Sequence, residues 1–64
     1  MKQPTGPVDG IIIVTDNDGD PCEVFGRNTV YDVVFRMIDR LDREAPGDAP
    51  HSAWRYGAGG FSRV

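Results

Sequence analysis

Five consecutive β-branched residues, Ile11-Ile12-Ile13-Val14-Thr15, constrain this chain more than any other stretch. Such side chains lose χ1 freedom in a helix and pack well on a pleated surface, so the run reads as a strand. It is apolar at odd and even positions alike, which predicts a central strand covered on both faces. Asp16-Asn17-Asp18-Gly19-Asp20 then supplies a turn, with Asp18-Gly19 suited to the two positive-φ positions of a type I′ hairpin. Cys22-Glu23-Val24-Phe25 is the return strand, and that loop sets Ile13 opposite Val24 and Ile12 opposite Phe25. Pro21 has no N–H for a ladder and belongs at the strand start or on an outward edge.

The one helical pattern begins soon after. Thr29 followed by Asp32 fits a capping box, and Asp32 suits the positive end of a helix dipole. Val30, Val33, Val34, Met37 and Leu41 recur at helical spacing and form the stripe expected to cover the sheet. Asp32–Arg36 and Asp39–Arg43 are i,i+4 pairs of supporting sign. Ala45-Pro46-Gly47 stops the helix. Tyr31, Phe35 and Ile38 make a second apolar row beside the first, more than one small sheet can cover. Either the C-terminal segment folds over that row, or Tyr31, Phe35 and Ile38 form an oligomer interface.

The flanks are less regular. Residues 1–10 carry Pro4, Gly6, Pro7 and Gly10 with little to bury, and read as a flexible tail before a single domain at 11–64. Ser52-Ala53-Trp54-Arg55-Tyr56 alternates enough for a third strand with Trp54 and Tyr56 on one face. Gly57-Ala58-Gly59-Gly60 is a turn, and Phe61 to Val64 returns as an edge strand or trails away. The expected architecture is a small α+β domain in ββαβ or ββαββ order.

Size and charge then bound the function. Sixty-four residues lie near the lower limit for folding without staples. One cysteine excludes an internal disulfide, and one histidine with one cysteine excludes a standard structural zinc site. Oligomerisation, or folding against a partner, is the staple that remains. A lone cysteine, no apolar leader at the N-terminus and no apolar run long enough to span a bilayer point to a cytoplasmic protein with no membrane partner. The net charge is −3, with −5 over residues 1–50 and +2 over residues 51–64. An acidic chain is a poor phosphate-backbone binder, because that affinity comes from Lys and Arg.

No motif for catalysis, metal or cofactor binding survives inspection. Asp16-x-Asp18-Gly19-Asp20 begins like a calcium loop, but an EF-hand needs glycine at position six and glutamate at twelve, where Pro21 and Arg27 stand. The glycines at 57–60 lack the following helix that a phosphate cradle requires. His51 lies in a Pro/Asp/Ser loop, and Cys22 is expected to pack as a small hydrophobe. Two clusters remain. Asp16, Asp18, Asp20 and Glu23 give a hairpin with no basic residue, suited to a basic partner surface. Trp54, Arg55 and Tyr56, with Phe61 and Arg63, have the composition of protein contact hot spots and of single-strand nucleic-acid binders. Closure of the small core by Trp54 and Phe61 is the simpler expectation.

The function expected is a non-enzymatic protein-binding module contacting a larger protein with a basic surface through Asp16, Asp18, Asp20, Glu23, Trp54, Arg55 and Tyr56. Size and charge are those of phage or mobile-element inhibitors that occlude a host defence protein, an analogy rather than a motif match. The alternatives are a nucleic-acid or nucleotide-binding module using the C-terminal aromatics, and a structural homo-oligomer.

Overall fold

The computed structural model describes residues 6–64. β1 (Ile11–Thr15) and β2 (Pro21–Phe25) lead into one helix, α1 (Tyr31–Glu44). A 3-10 turn at Pro46–Asp48 follows, then β3 (Ser52–Gly57) and β4 (Gly60–Arg63). This is the expected α+β arrangement in ββαββ order. The strands form one antiparallel sheet in the order β2-β1-β3-β4, so the β-branched run is an interior strand.

The β1–β2 register is the expected one, with Ile13 opposite Val24 and Ile12 opposite Phe25. The turn that produces it is different. Among the described residues none other than glycine has positive φ, and Gly19 alone in the turn does, at +85°. The Asp16 N–H donates to the Asp20 carbonyl, so the loop is Asn17-Asp18-Gly19, a three-residue connection of the type that ends in a left-handed glycine. Asp16 Oδ1 makes it so by accepting the N–H groups of Asp18 and Asp20 at 2.9 and 3.0 Å. The extra loop residue is offset by an irregularity between Val14 and Thr15, where Thr15 pairs with Pro21. Two departures cancel, and the pairs further along survive.

α1 starts at Tyr31 without the Thr29 capping box, since Val30 occupies the cap position and no side chain closes it. The preceding chain takes over. The Tyr31 N–H donates to the Gly6 carbonyl, and the Val8 N–H to the Thr29 carbonyl. This docking carries Val8 into the core at 4% exposure. The tail expected at residues 1–10 lies partly outside the described residues; from Gly6 onward it is part of the domain.

The core comprises Val8, Ile12, Val14, Tyr31, Val34 and Ala53, with Phe25, Phe35, Ile38, Leu41 and Val64 packed around it. The helix is therefore rotated from the stripe expected. Tyr31, Phe35 and Ile38 face the sheet with Val34 and Leu41, while Val30 and Val33 are exposed. Tyr31 is thus a core residue, and Phe35 and Ile38 are partly buried against the core. The reason is steric and areal: the row with the larger side chains returns more buried apolar surface over a small sheet. Asp32 pairs with Arg36 as expected, while the second pair is Arg40–Glu44 rather than Asp39–Arg43.

Candidate functional site

Among the described residues, nothing covers one face of the sheet. Ile12 and Val14 are fully buried against the helix side, and side chains alternate along a strand, so Ile11, Ile13 and Thr15 point the other way. Cross-strand partners share a face, which assigns the rest. Val24, Ile13, Trp54 and Arg63 form one row across all four strands. Ile11, Tyr56 and Phe61 form a second row, and Pro21, Thr15 and Ser52 a third. The face is apolar and aromatic, holds one cation, Arg63, and contains no acidic side chain. Val24 is 63% exposed, Phe61 57% and Tyr56 51%. β1 is thus covered on one side only, against the expectation of two.

Trp54 and Phe61 do not close the core, because no second layer lies over them among the described residues. Trp54 lies across the sheet, its Nε1–H donating to Thr15 Oγ1 at 3.0 Å. With Ile13, Thr15, Gly19, Pro21 and Phe61 it lines a shallow depression of about 380 Å³. Tyr56 and Phe61 meet as a cross-strand pair with ring centroids 4.9 Å apart, an arrangement that favours tilted contact. These interactions orient the aromatics without covering them.

The other expected site residues divide between two places. Arg55 pairs with Ile12 and so points to the helix side, away from Trp54 and Tyr56, with Nη1 4.0 Å from Asp9 Oδ2. The cluster read along the chain as one unit is split by strand alternation. Glu23 pairs with Val14 and also points to the helix side, on the outer strand. Asp16, Asp18 and Asp20 gather at the hairpin tip, with one ligand atom from each within 4.8 Å of the others. Asp16 is occupied in holding the turn, and nothing beyond the cluster itself marks a cation site. Asp18 and Asp20 are exposed.

Asn17 and His51 are structural residues that sequence reasoning passed over. Asn17 Nδ2 donates to the carbonyls of Gly47 and Ala49 at 3.3 and 3.1 Å, and its N–H to the Asp48 carbonyl at 2.9 Å. It clamps the hairpin tip to the 3-10 turn after the helix. The His51 side chain is 2% exposed, and its Nδ1–H and backbone N–H both donate to Asp42 Oδ1, at 2.7 and 2.9 Å. Those two donors, the ring first, hold the Asp42 carboxyl below its ordinary pKa. A Pro/Asp/Ser sequence around His51 signals a loop but not its burial.

Cys22 is exposed on β2 rather than packed as a small hydrophobe, because the register shift and the outer position of β2 leave it nothing to pack against. Its thiol is pushed above the ordinary value by desolvation and then by the charges of Asp16, Asp48, Asp20 and Glu23. No helix is long and apolar enough to cross a membrane among the described residues. Comparison with known proteins finds no family model, no curated relative and no solved structure that matches this chain.

Proposed function

We propose that the chain is a non-enzymatic protein-binding module whose contact surface is the uncovered sheet face centred on Ile13 and Trp54. The observation that carries this reading is the contrast between the two sides of β1. Ile12 and Val14 are fully buried, while the opposite face is just as apolar, richer in aromatics and open to water. The largest apolar patch on a protein surface is often a functional one. Trp and Tyr at its centre are the residue types that dominate contact energetics. The exposed acids of the hairpin tip, Asp18 and Asp20, add a second contact suited to a basic partner, and steer encounter more than they hold the complex. Occlusion of a basic surface on a larger host protein, in the cytoplasm, is the form of binding that this size and charge favour.

The test is capture of partners by tagged wild-type chain and by Phe61→Lys, with circular dichroism to check that the variant folds. A stoichiometric protein retained by the wild type and lost from the variant supports the reading. Equal capture by both proteins refutes the assignment of the face.

A second reading rests on the same residues. Trp54, Tyr56 and Phe61 share a face with Arg63 and no acid, which is the composition of a base-stacking platform. A salt-dependent shift with single-stranded DNA or RNA, abolished by Trp54→Ala, would establish it. The net charge of −3 places it second.

A further inference from the structure

We infer that the end of the sheet opposite the acidic hairpin tip is an anion site, and that it takes a phosphate monoester. There Asp9, Ile11, Arg27, Arg55, Tyr56 and the turn at 57–59 line a cleft of about 900 Å³, within the range of small-molecule sites. The two arginines are far apart in sequence, and the strand order β2-β1-β3 brings them to one place. Ile12 pairs with Phe25 on one side and with Arg55 on the other. Arg27 leaves the sheet two residues beyond Phe25. Arg55 lies along the turn because Gly57 has no side chain; a Cβ there would stand 3.3 Å from Arg55 Nη1.

Little within the chain neutralises these guanidinium groups. Among the described residues Arg27 pairs with no carboxylate, and Arg55 meets only Asp9, at 4.0 Å. The Asp9 side chain is 99% exposed, and so wet an ion pair is worth little, so an incoming anion displaces it. Arg36 and Arg40, by contrast, lie 3.1 and 2.8 Å from an acid one helical turn away. The acids of the hairpin tip stand at the other end of the five-residue β1, roughly 16 Å away. That exceeds the screening length of about 8 Å at physiological salt. Two guanidinium groups in one cleft match an oxyanion that accepts several N–H bonds at once. A phosphate monoester carries about −1.5 to −2 at neutral pH, against −1 for a carboxylate, and so competes better with Asp9. The apolar walls at Ile11 and Tyr56 take the organic body of the ester.

The experiment is a titration of the whole chain with adenosine monophosphate, inorganic phosphate and acetate, followed by backbone amide NMR. Saturable shifts are expected at residues 9–11, 27 and 55–59, tightest with adenosine monophosphate, then phosphate, then acetate. Arg27→Gln and Arg55→Gln each weaken binding at least about fivefold, as loss of a charged hydrogen-bond partner does. Asp9→Asn strengthens it. Arg43→Gln, exposed in the last turn of the helix, removes the same charge and leaves binding unchanged. The same spectra report the fold of each variant, and Arg27, exposed in its turn, keeps the test open if Arg55→Gln does not fold. No saturable shift with any of the three up to ~10 mM, well above the range of a specific weak site, overturns the inference. So does equal weakening by Arg43→Gln, or a set of shifts confined to Ile13 and Trp54 on the open face. Acetate binding as tightly as phosphate overturns the choice of phosphate. Adenosine monophosphate binding no tighter than inorganic phosphate overturns the seat of the organic body on Ile11 and Tyr56.

Discussion

Val33 and Val34 are neighbours in sequence, yet Val34 is fully buried and Val33 is 45% exposed. Truncating each to alanine separates the helix orientation observed from the one that apolar spacing suggests. At Val34 the substitution removes two methyl-sized groups from water-free surroundings, about 1.6 kcal/mol at roughly 0.8 kcal/mol each. The unfilled space raises the loss to roughly 2–3 kcal/mol. Unfolding entropy near 2.1 cal/mol/K per residue gives about 0.13 kcal/mol/K for a domain of this length. Val34→Ala should therefore lower Tm by about 15–23 °C, a large share of the stability of a small domain. Val33→Ala should change stability by less than about 0.5 kcal/mol, under ~4 °C. Thermal unfolding followed by circular dichroism reads both. Comparable destabilisation by the two substitutions, or a larger effect at Val33, would refute the helix orientation and the core built on it.

Three further outcomes follow from single residues. Gly10 has φ +155°, and a Cβ there would stand 2.5 Å from the Tyr56 carbonyl oxygen; Gly10→Ala should cost upwards of ~2 kcal/mol, seen as a fall in the urea midpoint. Asn17→Ala removes two side-chain hydrogen bonds to the 3-10 turn and should lower stability by about 1 kcal/mol, with faster hydrogen exchange confined to the hairpin tip and residues 46–49. The carboxyl of Asp42 has a depressed folded pKa, so its contribution is present above the unfolded value of about 3.9 and is lost as pH falls through the folded pKa. Asp42→Asn should accordingly show a shallower loss of stability on acidification below pH ~4, measured by chemical denaturation across that range.

Much of the scaffold was legible in the chain because local chemistry and tertiary context agree. A β-branched run, an Asp/Gly turn and a capless but strongly periodic helix lead to strands and helix where side-chain spacing puts them. The Ile13–Val24 register was recoverable even though its turn was not. The Asp16 carboxylate selects a three-residue loop by capturing two N–H groups, a competition that turn propensities do not weigh. The helix face was misjudged because Val30 and Val33 are as apolar as the side chains that are buried. Only the larger area of Tyr31, Phe35 and Ile38 decides between the rows. Docking of Val8 could not be read from its Pro/Gly surroundings.

The site was legible in composition and not in geometry. Trp54 and Tyr56 were correctly paired by strand alternation, and the same alternation removes Arg55 from them. Ile13, Val24 and Phe61 join the surface through cross-strand pairing, which no local pattern reveals. The missing second layer was the harder point. β1 is apolar on both faces whether its cover comes from the same chain or from another, so the sequence of the strand alone cannot tell the two apart.

Trp54 is the single tryptophan of the chain and lies in the middle of the open face, so its fluorescence reports directly on whether that face becomes covered. The measurement is the emission maximum of the free chain, and again in any complex isolated by capture. Occupation of the face predicts a blue shift that grows with the fraction associated and is absent in Phe61→Lys. An emission maximum that stays at its dilute value while the chain is demonstrably in a complex would contradict the account, because the contact would then lie elsewhere.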